Sequence, residues 1–227
     1  MKKLLWLLVL FPVMGYCGVM DELQSLRWEV QAQIKFDPNS TDTLLLDDSL
    51  LNRMVNRALI KVAFDAHAIK KETTFVSVAD QSYYTIDTNI VYVDYVCKID
   101  GYIMRPLQKW NPPLLLAKVE DSMTIDRDSY TSLLYWQYTD SVRLWPVPRR
   151  VDTFLIGYSV LPEYLTLDTA NTDLPQQYRE AAVWYGAHLA LWRMGRYDES
   201  AGALGRYNEE ITKYRTMDAI RYDMAPQ

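Results

Sequence analysis

Residues 73–86 read TTFVSVADQSYYTI, and this stretch decides the fold. Threonine, valine, phenylalanine and tyrosine favour β-strands, and they lie on both sides of the polar residues ADQS at 79–82. The pattern predicts two short strands, Thr73 to Val78 and Tyr83 to Ile86, joined by a turn. The chain therefore begins an antiparallel β-region here.

Five more strands are predicted downstream of this pair. They are Ile90 to Ile99, Ile103 to Trp110, Tyr130 to Thr139, Val142 to Trp145 and Thr153 to Val160. Short strands separated by turn residues such as Asp100-Gly101 are typical of a small antiparallel sandwich or open barrel. Residues 111–128, which open with Pro112-Pro113, form the longest predicted loop, and we expect this loop to contact a neighbouring protein.

Helical patterns flank the β-region on both sides. Two helices precede it, over residues 21–34 and from Asp47 to Ile69, and two follow it, from Gln176 to Arg193 and from Asp198 to Tyr214. The predicted fold class is α+β, a helical bundle built from both chain ends (21–72 and 173–216) with an inserted β domain at 73–165. Residues 217–227 are expected to form a polar tail.

Two helical faces are candidate contact surfaces. Arg53, Arg57 and Lys61 are spaced four residues apart, so they share one face, which is either a solvated face or a docking edge for an acidic neighbour. The helix from Gln176 to Arg193 is apolar nearly all round and includes Trp184 and Trp192. Such a helix is buried at the centre of its domain or between subunits.

The composition excludes some classes of function. A net charge of −5 argues against a protein that binds a nucleic-acid backbone. The 17 tyrosines and 7 tryptophans against 5 phenylalanines suit surfaces that become interfaces, although strand propensity also explains them. Cys17 and Cys97 lie in different contexts, so neither a disulfide framework nor a metal knuckle is expected.

No catalytic pattern is present in the sequence. His67 and His188 are the only histidines, and no HExxH, GxSxG, Walker or GxGxxG motif accompanies them. Both are expected to be packing residues on helices. We predict a protein that is not an enzyme and that has no catalytic site, no cofactor and no metal.

The first 20 residues carry an apolar run, Leu4 to Val13, behind Lys2 and Lys3. Three interpretations fit this leader. It is a secretory signal cleaved near Gly18, an upstream extension of a frame that starts at Met20, or a retained apolar anchor or plug.

The order of these pieces resembles the head-to-tail adaptor proteins of tailed bacteriophages, also called head completion or neck connector proteins. The resemblance covers about Met20 to Tyr214 and rests on element order rather than on one specific motif. The matching pieces, in chain order, are the first helix, Leu45 to Ala66, Phe75 to Ile86, Asp100-Gly101, Arg105-Pro106-Leu107, Val142 to Pro148, Thr153 to Tyr158 and Leu174-Pro175. Asp87 stands where family members often have proline, and the leader is also unusual for the family.

The resemblance implies a structural virion protein of the neck. It implies a homo-oligomeric ring, a dodecamer, that binds the portal protein and offers a platform to a tail or stopper protein, while DNA passes through the channel without specific binding. The implied contact between subunits involves the helix faces with Arg53, Arg57, Lys61, Trp184 and Trp192. The implied portal-docking residues follow the last predicted helix: Thr216, Met217, Ile220, Arg221, Tyr222 and Met224.

Two other classes stay open at this point. An exported protein of the bacterial envelope, located in the periplasm or envelope, would use the same modules for non-enzymatic interactions, with the leader as its signal peptide or membrane anchor. A hydrolase or carbohydrate binder would use exposed tyrosine and tryptophan on the β domain.

Overall fold

The computed structural model describes residues 22–35, 46–87, 89–110, 132–166 and 171–223. The predicted leader 1–20, the predicted loop 111–128 and Met224 lie outside these residues.

Four helices within the described residues form a helical body. They are α1 (Glu22–Gln33), α2 (Asp48–Ala66), α3 (Arg179–Arg193) and α4 (Tyr197–Asp223), and a short 3-10 helix, Gln176–Tyr178, leads into α3. Helix α3 contacts each of the other three, which explains why its sequence is apolar nearly all round. Gly186 of α3 lies so close to α1 that a Cβ atom there would be 2.9 Å from Val30 Cγ2.

Helix α2 begins where the sequence predicts and ends earlier. The Asp47 side chain accepts a hydrogen bond from the Leu50 amide at 2.6 Å and caps the helix. The helix ends at Ala66, because His67 adopts the left-handed conformation with φ of 48°. The prediction that the helix continues to Ile69 is therefore wrong, since Ile69 already belongs to the first strand.

In the part of the chain that the structure describes, eight strands form the β module. They are β1 (Ile69–Val76), β2 (Tyr83–Thr85), β3 (Ile90–Asp100), β4 (Ile103–Pro106), β5 (Gln108–Lys109), β6 (Leu134–Tyr138), β7 (Ser141–Trp145) and β8 (Thr153–Val160). Sheet A has the order β1-β8-β3-β4, with every neighbour antiparallel. Sheet B has the order β2-β7-β6-β5, in which only the β5–β6 pair is parallel.

Three predicted strands differ from the structure by more than one residue. The strand predicted from Tyr130 to Thr139 begins only at Leu134. Strand β1 starts four residues before the predicted Thr73, because Ile69 pairs with Val160 at the far end of β8. The single strand predicted from Ile103 to Trp110 is wrong, since the chain leaves sheet A after Pro106 and enters sheet B at Gln108.

The two sheets pack against each other through aromatic side chains. The Phe75 ring of β1 lies 5.4 Å from the Phe154 ring of β8 and 4.9 Å from the Tyr84 ring of sheet B. The Tyr84 hydroxyl also donates to the Gln81 carbonyl oxygen at 2.7 Å, which fixes the turn at residues 79–82 between β1 and β2. The α+β class is confirmed, with two facing sheets in place of a barrel, since neither sheet closes in the described part of the chain.

The connection from β8 back to the helical body is held by Asn56 of α2. This side chain is 1 % exposed, accepts a hydrogen bond from the Leu165 amide at 2.7 Å and donates to the Leu165 carbonyl oxygen at 3.0 Å. One helix residue thereby pairs with the backbone of the returning segment as a neighbouring strand would.

Helix α4 is longer than predicted and continues to Asp223, into the segment 217–227 that was expected to be a polar tail. It is attached to α2 near the end of that helix. The Tyr207 hydroxyl donates to the Asp65 carboxylate, and Arg215 Nε donates to the Asp65 carbonyl oxygen at 2.8 Å. These contacts orient the C-terminal part of α4 relative to the body.

Replacing both Gly202 and Gly205 of α4 by alanine is expected to stabilise the protein. Both glycines lie inside the helix, and a Cβ atom at either position has no neighbour within 4 Å. Alanine stabilises a helix by nearly 1 kcal/mol per site relative to glycine. The free energy of unfolding, measured by urea titration, should therefore rise by about 1–2 kcal/mol. Gly195→Ala is the control, because its φ of +76° should make alanine destabilising by about 1 kcal/mol despite the open space. An unchanged or lower stability of the double variant would contradict the expectation.

Candidate interaction surfaces

The basic face predicted on α2 is only partly available for contacts. Arg53 and Arg57 are exposed and form no ion pair with any described residue. Lys61 differs, because its ammonium group lies 2.8 Å from the Asp65 carboxylate one turn later on the same helix. Two of the three predicted cations therefore remain free for a partner.

The structure brings one of these arginines together with a predicted tryptophan. Arg57 of α2 and Trp192 of α3 line the same surface hollow of about 450 Å³, which we call the Trp192 hollow. Its other lining residues are Met54, Leu189, Arg193 and Tyr197. Trp192 is 55 % exposed and Tyr197 is 64 % exposed, so two large aromatic side chains face solvent beside two arginines.

This composition is that of a protein–protein contact. Tryptophan, tyrosine and arginine are the residues that most often dominate binding energy at interfaces, because they combine apolar area with a polar or charged group. Arg193, like Arg57, forms no ion pair within the described part of the chain. The Trp192 hollow therefore suits a partner surface that supplies carboxylates and apolar contact.

Trp184, the other predicted tryptophan, does not lie in this hollow. It is half-buried and packs against the protein's own core. Sequence reasoning in turn missed Tyr197 and Arg193, which join the hollow because α3 and α4 meet in a tight turn at Gly195. An aromatic residue two positions after the helix-breaking Gly195, at the start of the next helix, is a sequence signal that could have identified Tyr197.

The predicted docking residues are distributed along the end of α4. Thr216 is exposed, and its hydroxyl donates to the Thr212 carbonyl oxygen at 2.9 Å. The positions Met217, Ile220, Arg221 and Tyr222 belong to the helix, which ends at Asp223. The docking segment is thus largely helical rather than an extended tail.

A second hollow lies beside this end of α4. Its volume is about 580 Å³, and its lining includes Trp28 of α1, Glu180 of α3 and Tyr214 of α4. Trp28 is 60 % exposed. One wall is held in place by an ion pair between Arg179 and Glu29 with an N–O distance of 2.8 Å. A second exposed tryptophan therefore lies near the predicted docking segment, and the sequence analysis had not singled it out.

The two histidines pack against neighbouring side chains, but only His188 lies on a helix. The prediction of a helical position is wrong for His67, which follows the last residue of α2. The His67 ring lies 5.0 Å from the Tyr92 ring, and burial lowers the pKa of this histidine. His188 Nδ1 is 2.8 Å from the Ser200 hydroxyl, but Ser200 is only 3 % exposed and joins α3 to α4. A serine this inaccessible is no nucleophile, so the pair is a link between helices.

Within the ranges that the structure describes, no cluster of three or more histidine, cysteine, aspartate or glutamate residues is arranged to hold a metal ion. No helix in those same ranges is both long enough and apolar enough to cross a membrane.

A helical body with unpaired arginines and exposed aromatic residues, carrying a two-sheet β module, is typical of a structural protein that works through contacts with other proteins. Comparison with known protein families identifies this class. The family model of the SU10 adaptor protein matches residues 23–227, so the chain belongs to this family of phage head-to-tail adaptors. The resemblance predicted from element order is therefore confirmed. No curated protein matches the chain.

Proposed function

We propose that the chain forms a homo-oligomeric ring in the virion neck, between the portal protein and a tail or stopper protein. Family membership supports a structural adaptor role in a phage. The ring is a dodecamer in this proposal. Its subunit contacts are heterologous, which means that one surface of each subunit meets a different surface of the next.

The observation that carries the proposal is the Trp192 hollow. Its arginines and aromatic side chains are exposed in the single chain, although they have the composition of an interface core. In the ring, this hollow receives an acidic and apolar surface of the adjacent subunit. The net charge of −5 provides such carboxylates, and it also leaves the channel wall without specific affinity for the DNA that passes through it.

Trp192→Ala is expected to weaken ring formation strongly. Truncation of a central interface tryptophan costs about 2 kcal/mol or more, so the concentration needed for assembly should rise about 30-fold. Mass photometry over a concentration series measures this change. Tyr138→Ala is the control, because Tyr138 is 63 % exposed on sheet B, away from the hollow. Equal assembly of the tryptophan variant and the wild type would contradict the assignment of this surface.

Deletion of residues 216–227 is expected to abolish portal binding and to leave the ring intact. The deletion starts after Arg215, so the hydrogen bond from Arg215 to the Asp65 carbonyl oxygen is kept and α4 remains attached to α2. Co-purification with the portal protein of the same phage measures the effect. The docking assignment is wrong if the shortened chain still binds the portal with unchanged affinity.

A further inference from the structure

Among the residues that the structure describes, sheet A ends in two edge strands that pair with no further strand and run in opposite directions. Its order is β1-β8-β3-β4, and all three pairings are antiparallel, so β1 and β4 are the edges and point opposite ways. If a second copy is placed edge to edge, β4 of one copy lies antiparallel to β1 of the next. The alternation of directions then continues across the subunit boundary without interruption.

The two edges also lie at the same level of the sheet. Strand pairing joins Val76 to Thr153, Thr153 to Ile99 and Ile99 to Met104, which makes one row from edge to edge. The next row joins Thr74, Leu155, Cys97 and Pro106 in the same way. Both rows lie at the end of the sheet that is far from α2, because α2 leads into the opposite end of β1 at Ile69.

These two rows face away from sheet B and carry no charge. Phe75 and Phe154 pack toward sheet B, so the alternating side chains of Val76 and Thr153 point to the opposite face. The eight side chains of the two rows are valine, isoleucine, leucine, methionine, cysteine, proline and two threonines. Val76 is 55 % exposed at one edge, and Met104 is 61 % exposed at the other.

The charged residues of the edge strand β1 lie only in the half of the strand that is nearer to α2. Lys70, Lys71 and Glu72 are exposed there, and charged residues of this kind protect a free edge from pairing with another chain. The half from Thr73 to Val76 has no such protection, and neither has the Ile103–Met104 part of β4. Arg105 of β4 lies between the two rows, at the level of Phe75, and it pairs with Asp100 of its own chain at 3.4 Å. The two edges are therefore matched in level and direction, and the two outward rows are uncharged at both edges.

We propose that sheet A continues from one subunit into the next, with the β4 edge of one copy paired to the Thr73–Val76 part of β1 in a second copy. The inference rests on the ring proposed above and adds a second contact to it, distant from the Trp192 hollow. The pairing is short, because Pro106 has no N–H to donate. It therefore adds to the contacts of the helical body, and it extends the apolar rows into one continuous band across neighbouring subunits.

Disulfide cross-linking tests this contact. In a Cys17→Ser/Cys97→Ser background, the full chain carries Val76→Cys together with Met104→Cys, and a second variant carries Thr74→Cys with Met104→Cys. The chain is co-expressed with the portal protein of the same phage and oxidised, and assembly is followed by electron microscopy. Within one chain these positions are three strands apart, about 14 Å, which is too far for a disulfide.

The expected result is a ladder of covalent oligomers from at least one of the two pairs, and no ladder from any single-cysteine variant. Single variants cannot propagate, because the contact joins two different edges. Rings that form without a ladder from either pair would overturn the continuous sheet and leave the proposed ring standing. Absence of both rings and ladders would overturn the ring and the continuous sheet together.

Discussion

Asn56→Leu is expected to lower the free energy of unfolding by about 3 kcal/mol. The Asn56 side chain is the hydrogen-bonding partner of both the amide and the carbonyl oxygen of Leu165. Leucine supplies neither bond, so two backbone groups would be buried without partners at a cost of about 1–3 kcal/mol each. Urea unfolding of the purified chain measures the change.

Asn52 provides the matched control for this prediction. It lies one turn earlier on α2, and its side-chain oxygen is buried without a hydrogen-bond partner. Asn52→Leu removes this unsatisfied atom, so we expect the stability to stay within about 0.5 kcal/mol of the wild type or to rise. Equal losses in the two variants would show that the bonds to Leu165 are not what makes Asn56 important.

The Asn56 contact also matters for assembly. It holds the returning segment after β8 against α2, and thus sets how the β module is mounted on the helical body. In the proposed ring, one contact lies on the body and the other on the far end of sheet A. Both contacts can form together only if the position of the β module relative to the helical body is fixed.

Asp152→Ala is the second change with a large expected effect, a loss of about 3–4 kcal/mol in the free energy of unfolding. Lys98 has a side chain only 5 % exposed, and its ammonium lies 3.0 Å from the Asp152 carboxylate. Breaking a buried pair costs about 3–5 kcal/mol, because the remaining charge keeps its desolvation penalty. The expected value lies at the low end of this range, because Lys98 keeps its other contacts. Thermal or urea unfolding checks the value.

Two further variants test whether the loss of stability comes from breaking a buried ion pair rather than from any substitution in this region. Lys98→Met should cost less than Asp152→Ala, because it removes the buried ammonium together with its desolvation penalty, and the less buried Asp152 retains its contact with Arg150 at 3.3 Å. Asp100→Ala removes an ion pair with Arg105 at the same end of the module, but both of those side chains are more than half exposed, so its cost should stay below about 1 kcal/mol. A cost for Asp100→Ala equal to that for Asp152→Ala would contradict the role given to burial.

Element order and the central helix were predictable because they follow from local patterns. The apolar circumference of the segment with Trp184 and Trp192 predicted a helix in contact on all sides, and α3 does contact all three others. The start of β1 was not predictable, because the helical propensity of Lys70, Lys71 and Glu72 is as high as that of the preceding residues in α2. Pairing with β8 across about 90 residues overrides that preference.

The interaction surfaces were predictable only in part, for the same physical reason. Arg57 and Trp192 were each singled out by spacing along their own helix, but their meeting depends on how α2 packs on α3. The matched edges of sheet A depend on strand order, which the sequence pattern left undetermined between sandwich and barrel. Tertiary packing, rather than composition, creates both surfaces.

The most direct test of the adaptor account is electron microscopy of the chain mixed with the portal protein of the same phage, with the chain produced both from Met1 and from Met20. We expect rings of the chain stacked coaxially on the portal, with matching symmetry. Chains that remain monomeric and do not bind the portal in either form would contradict it.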